Sequence, residues 1–157
     1  MNNSPLLKLP PELRVKILEY ALITNETITV AGPRLFRDWS PPAALHICTQ
    51  IRMEASQVYF GANIFAAASN GSPDYLAAWL DMLEYKQRLL IRKIHVGDRY
   101  YARQPEARQA VQKYVSATYS AGVYGVKKEV FHVECVVKGR KGSVWLNIPK
   151  FKALATH

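Results

Sequence analysis

The stretch Leu9-Pro10-Pro11-Glu12-Leu13-Arg14-Val15-Lys16-Ile17-Leu18-Glu19-Tyr20-Ala21-Leu22 constrains the fold of this chain more than any other. Two consecutive prolines have no N–H to give. They suit the first turn of a helix, where those donors lack an intrahelical partner in any case. Glu12 then lies near the positive end of the helix dipole, and Glu12 with Lys16 forms an i,i+4 pair. The spacing predicts a helix from about Pro10 to Leu22. Leu13, Ile17, Tyr20 and Ala21 share one face, with Leu18 on its flank, and are expected to be buried. Arg14, Lys16 and Glu19 are expected to point elsewhere.

The remainder alternates between helix and strand signals. Thr27–Val30 is a short β-branched strand stopped by Gly32-Pro33, and a loop with Phe36 and Trp39 follows. A second helix follows Pro41-Pro42, with Ala44, Cys48, Ile51, Ala55 and Val58 facing the core and Gly61 at its C-terminal cap. Asn63–Ala68 is a strand. Ser72-Pro73-Asp74 is a helix start, and Leu76, Trp79, Leu80 and Leu83 make its buried stripe. Leu89–Val96 is a strand. Pro105 opens a helix with core positions Ala107, Val111, Tyr114, Val115 and Thr118, and Gly122 and Gly125 break the chain after it. Glu129–Val137 and Ser143–Ile148 are strands joined by a hairpin loop at Lys138–Gly142. Strands joined by helical crossovers favour parallel pairing, and the last hairpin adds an antiparallel edge. The expected class is α+β: two N-terminal helices packed with a short mixed sheet and two further helices. At 157 residues the chain is one domain.

The first helix and a later block share a resemblance. Leu-Pro-Pro-Glu-Leu-Arg at 9–14 is similar to the opening helix of F-box domains, most of all to the F-box-like family of filamentous fungi. Ala44-Leu45-His46-Ile47-Cys48-Thr49-Gln50-Ile51-Arg52-Met53-Glu54-Ala55, followed by Tyr59-Phe60-Gly61 and Asn63-Ile64-Phe65, resembles that family's Cys-x-Gln-Ile-x-x-Glu-Ala helix and the turn and strand after it. The resemblance divides the domain into an F-box-like helical part with an inserted strand, 9–65, and a basic α+β part, 66–157. It implies a non-enzymatic protein-interaction module, a ubiquitin-ligase substrate adaptor, in which Leu9, Pro10, Leu13 and Ile17 contact a Skp-type adaptor protein. It brings no catalytic residues and no cofactor.

Composition narrows the other classes. The chain is 49% hydrophobic and 21% charged, as in an ordinary globular protein. No apolar run is long enough to span a membrane, and Lys8 and three prolines interrupt the only candidate for a signal-peptide core. The expectation is an intracellular protein, cytoplasmic or nuclear. Cys48 and Cys135 make no disulfide framework. His46 and Cys48 diverge on a helix, His132 and Cys135 face opposite sides of a strand, and no Cys-x-x-Cys or His-x-x-x-His occurs, so no metal site is expected. There is no Gly-x-Ser-x-Gly and no Walker pattern, and no enzyme is expected.

The net charge of +9 is unevenly placed. Residues 1–85 hold 6 Lys/Arg and 8 Asp/Glu, a balance of −2, whereas residues 86–157 hold 15 and 4, a balance of +11. Such asymmetry fits a nucleic-acid surface, an acidic protein partner, or a solvated basic face. In the strands, Phe131, Val133, Cys135 and Val137 share one face and Val130, His132, Glu134 and Val136 the other. Alternation gathers Lys93, His95, His132, Glu134, Trp145 and Asn147 on one side of the sheet. That side is either a ligand face or a solvated face on which Trp145 covers a neighbouring strand. The alternative to the interaction module is therefore nucleic-acid binding by the basic half, through Lys127, Lys128, Lys138, Arg140, Lys141, Lys150 and Lys152 with Trp145 or a tyrosine as a stacking platform. A fungal host-interaction protein is a third reading.

Overall fold

The computed structural model describes residues 5–31, 39–67, 72–96, 100–101, 104–120, 122–136 and 143–147. The α-helices are α1 (Pro11–Leu22), α2 (Thr49–Ala62), α3 (Pro73–Met82), α4 (Tyr85–Leu90) and α5 (Gln104–Ser120). The strands are β1 (Ile28–Ala31), β2 (Phe65–Ala67), β3 (Ile94–His95), β4 (Tyr100–Tyr101), β5 (Phe131–Val136) and β6 (Ser143–Asn147). Short 3-10 turns cover Pro5–Lys8, Ala43–His46 and Lys128–Val130. The class is α+β.

One six-stranded sheet gathers all the strands. β1, β2, β3 and β5 run parallel in that order, and β6 returns antiparallel along β5. β4 also pairs parallel with β5, starting three residues beyond the end of the β3 pairing, so β3 and β4 follow one another along the same edge. The register draws rows across the strands. Ile28, Phe65, Ile94 and Phe131 form one row; Thr29, Ala66, His95, His132 and Asn147 form the next. Successive side chains of a strand point to opposite faces, so the rows belong to opposite sides of the sheet.

The first side is the core. Phe65, Ile94, Phe131 and Val133 are buried there. Trp79 of α3 stacks obliquely on Phe65 at 5.3 Å, and Tyr59 and Phe60 of α2 approach the same ring at 5.6 and 5.9 Å. α5 packs on α3 and β5 through buried Val111, Tyr114, Val115 and Thr118. The Ser72 hydroxyl caps α3 by accepting from the Asp74 N–H, with Pro73 in the first turn.

Besides a later start of the second helix, at Thr49 rather than directly after Pro41-Pro42, three expectations change. First, Leu89–Val96 is not one strand: Leu89 and Leu90 end α4, and only Ile94–His95 pairs. Glu84 and Gln87 exchange side-chain and backbone hydrogen bonds as a capping box, which starts a helix ahead of the apolar run. Secondly, Gly61 lies inside α2, and the cap is Asn63. The Asn63 amide donates to the carbonyls of Leu22 at 2.8 Å and Tyr59 at 3.0 Å, and its oxygen accepts from the Thr24 N–H at 2.9 Å. One buried side chain thus closes the C-terminal ends of both α1 and α2.

Thirdly, α1 is turned the other way. Leu13, Ile17 and Tyr20 are exposed, whereas Arg14 and Leu18 are buried. The cause is Glu54 on α2. Arg14 donates to both of its carboxylate oxygens, at 2.7 and 3.0 Å, and to the Leu9 carbonyl at 2.6 Å. With its charge met and its donors used, the guanidinium can lie under the helix. The hydrogen bond from Arg14 also holds the Glu54 carboxyl below its usual range.

Two predictions follow from this orientation. Leu18→Ala is expected to cost about 2–5 kcal/mol and Ile17→Ala less than about 1 kcal/mol, because only the first leaves a core cavity. Equal shifts in urea midpoint would contradict the orientation of α1. Arg14→Lys is expected to lower the midpoint nearly as far as Arg14→Ala, since an ammonium cannot supply the fork that grips both Glu54 oxygens and the Leu9 carbonyl. Full retention of stability by the lysine variant would show that charge alone suffices.

Candidate functional site

Two groups of residues with binding character lie on different parts of the molecule. The first is the outer face of α1. Once Arg14 and Leu18 are turned inward, Leu13, Ile17 and Tyr20 stand 49%, 42% and 91% exposed, at i, i+4 and i+7. Pro10 is exposed at the head of this stripe and Ile23 at its foot. Leu9 is half-buried, and its carbonyl accepts from Arg14. A cleft of about 460 Å³ opens beside the stripe, lined by Lys16, Glu19, Tyr20, Ile23 and Asn25. The sequence singled out Leu9, Pro10, Leu13 and Ile17; Leu13 and Ile17 are exposed on α1, whereas half-buried Leu9 and exposed Pro10 lie just ahead of it.

The second group is the side of the sheet away from the helices. His95, His132 and Asn147 occupy one row, and Glu134 stands opposite Trp145 in the next pair of β5 and β6. The Trp145 indole reaches across β5 and stacks on the His95 imidazole, with ring centres 3.4 Å apart and planes 9° from parallel. Trp145 therefore covers a neighbouring strand and still keeps part of its own surface in solvent. Lys93, His132, Glu134 and Asn147 are likewise half-exposed. The His132 Nδ1 lies 2.8 Å from the Val130 carbonyl, and the Asn147 amide donates to the Glu129 carbonyl at 3.3 Å.

His95 is only 9% exposed, and its Nε2 has no hydrogen-bond partner among the described residues. Burial first, then the nearby charges of Lys93 and His132, hold its pKa down to about 4, against a smaller upward pull from Glu134. The imidazole under Trp145 is neutral at physiological pH, so the stack is a neutral aromatic pair.

A third feature joins the strand-entry end. Arg92-Lys93 lead into β3, Lys127-Lys128 lead into β5, and those strands are parallel neighbours. Arg92 and Lys127 line one cleft of about 470 Å³ together with Gln57, Gly61, Leu90 and Glu129. Sequence reasoning named Lys127 and Lys128 but missed Arg92, whose placement depends on the β3–β5 pairing. Lys138, Arg140 and Lys141 of the hairpin loop, and Lys150 and Lys152, lie outside the described residues. Among the described residues no group of three or more His, Cys, Asp or Glu side chains is arranged to hold a metal ion. No described helix is long and apolar enough to cross a membrane.

The depressed pKa of His95 has a definite sign in stability. The unfolded chain takes up this proton near pH 6.5 and the folded chain only near 4, so the contribution is complete above 6.5 and declines between those values. His95→Phe keeps a ring under Trp145 and removes the titration. It is expected to hold its urea midpoint between about pH 7.5 and about pH 5 better than the wild type, by roughly 1–3 kcal/mol. Parallel decline of both proteins would assign the pH dependence elsewhere.

No family model matches the chain, and neither a curated protein nor a solved structure matches it.

Proposed function

We propose that the chain is a non-enzymatic protein-interaction module whose α1 docks an adaptor protein of the Skp type, in the manner of an F-box-like domain. The observation that carries this is the double use of α1. Its inner face is held by Arg14 and Leu18, and a second, complete apolar stripe of Leu13, Ile17 and Tyr20 is left in solvent. Anchors at i, i+4 and i+7 are the pattern by which a helix lays its apolar face into a hydrophobic groove. Isolated exposed apolar residues need no explanation, but a row of them along one helix marks an interaction surface.

The two blocks that resemble the family also meet in space. Arg14 comes from the Leu-Pro-Pro-Glu-Leu-Arg opening and Glu54 from the Gln-Ile-Arg-Met-Glu-Ala helix, and they form the bidentate pair between α1 and α2. Asn63, from the turn after the second block, ties the far end of α1. These residues support the resemblance as a physical unit: they present the adaptor face without contributing to it.

The test is calorimetry with a purified Skp-type adaptor. Binding is expected, and Leu13→Asp and Ile17→Asp are each expected to weaken it by at least about tenfold, since burying an uncompensated carboxylate in an apolar groove is strongly unfavourable. Both residues are exposed, so the circular dichroism spectrum and melting temperature should hardly move. Absence of heat at high micromolar concentration would end the proposal.

A further inference from the structure

Sheets built from parallel strands are ordinarily covered on both sides. Here α2, α3 and α5 lie on the Phe65 side, and the other side carries Thr29, Ala66, Lys93, His132, Glu134, Trp145 and Asn147, all exposed or half-exposed. We propose that this open face, with the cationic rim at the entry to β3 and β5, binds single-stranded nucleic acid: a base stacks on Trp145, and phosphates lie along Arg92, Lys93 and Lys127.

The geometry favours an unpaired base. Trp145 is backed by His95 at 3.4 Å, so the indole is held flat on the sheet as one layer of a stack rather than left to rotate. A preordered aromatic platform costs a ligand little conformational entropy, and any base has a face to lay on it. A duplex keeps its bases stacked on one another and offers such a platform nothing. Lys93 stands beside His95 on the open face, Arg92 and Lys127 line a cleft at the strand-entry edge that Gln57 and Gly61 of α2 also line, and the half of the chain that contains the three cations carries +11. Glu134 flanks Trp145 and repels phosphate there, which assigns the backbone to the rim and the base to the ring.

Charge also decides against a second copy of this chain as the occupant. Two such faces pressed together would oppose two basic halves. An acidic protein would satisfy the charge but would make no special use of a flat, backed indole. The face is distinct from the α1 stripe, because α1 packs on α2, on the helical side of the sheet.

The experiment is fluorescence anisotropy with labelled single-stranded and duplex oligonucleotides of equal length. Single strands are expected to bind more tightly than duplex, and to lose roughly twentyfold in affinity between about 50 and about 200 mM salt if three phosphates are contacted. Trp145→Ala is expected to weaken binding about tenfold at fixed salt. Trp145 also covers His95, so a second variant is needed that leaves the sheet intact. Arg92→Ser with Lys127→Ser changes two exposed side chains and should flatten the salt slope by about one and a half units, at 0.7 per phosphate. Ile17→Asp should bind the oligonucleotide as the wild type does, which separates this surface from the adaptor face. Flat anisotropy at low salt overturns the proposal, as does binding indifferent to Trp145. Competition by polyglutamate of matched charge as effective as that by oligonucleotide would assign the face to an acidic protein instead.

Discussion

Arg14 and Glu54 set the rotation of α1, and with it the division of the N-terminal half into inside and outside. A buried guanidinium is tolerable only where its charge is met and its donors are used. Here a carboxylate on α2 takes two of those donors and the Leu9 carbonyl a third. Turning α1 by a quarter or more would separate Arg14 from Glu54 and leave each partner only part-solvated. The turn that keeps the pair brings Leu18, one helical turn after Arg14, into the core and Leu22 against it. It also drives Leu13, Ile17 and Tyr20 outward. Asn63 then fixes the far end of the same helix through the Leu22 carbonyl. The rotation and the end point of α1 are thus both determined by polar contacts with residues about 40 positions away.

That distance is why the sequence misleads at α1. Leu13, Ile17 and Tyr20 make one apolar row at helical spacing, and Leu18 and Leu22, with Arg14 ahead of them, make another. Periodicity alone prefers the row without a charge. Only the partner of Arg14 reverses the choice, and a periodicity argument holds no information about Glu54. The α4 region fails for a different reason. The apolar run from Leu89 has strand-like composition, but Glu84 and Gln87 cap a helix just upstream, and the capping box was the readable signal that the run hid. Where local and tertiary preferences agree, the sequence is legible. Ser72-Pro73-Asp74 starts α3, the buried stripe of α3 and Val111, Tyr114, Val115 and Thr118 of α5 fall on residues their periodicity selects (Ala107 lies outside the described side chains), and alternating helices and strands lead to parallel pairing with an antiparallel last edge.

The sheet was legible in one further respect. Period-two alternation in three separate segments placed Lys93, His95, His132, Glu134, Trp145 and Asn147 on one side, and the register assembles them there. What alternation could not supply was the diagonal contact. Trp145 is paired with Glu134, not with a residue of β3, and its ring crosses β5 to reach His95. A long aromatic side chain can span that diagonal, whereas the shorter residues of the row cannot. The same limit explains why Arg92 escaped notice beside Lys127: their sequence separation is bridged only by the parallel pairing of the strands that they precede.

A side of a mainly parallel sheet that no described helix covers poses a stability problem that this row of residues resolves. Large aliphatic side chains there would demand a second layer of helices. Thr29, Ala66, His132 and Asn147 are small or polar, and they leave little apolar surface in water. His95 is the exception, an imidazole at the middle of the row with no partner for its Nε2 among the described residues. Without a lid it would be a solvated, titratable group in the centre of the sheet. Beneath Trp145 it is kept neutral and becomes the floor on which the indole lies flat. The pair substitutes for a missing helix over β3 and β5 while leaving the top of the indole outside the fold. One aromatic contact thus stabilises this side of the sheet and presents a flat surface able to stack with a flat ligand.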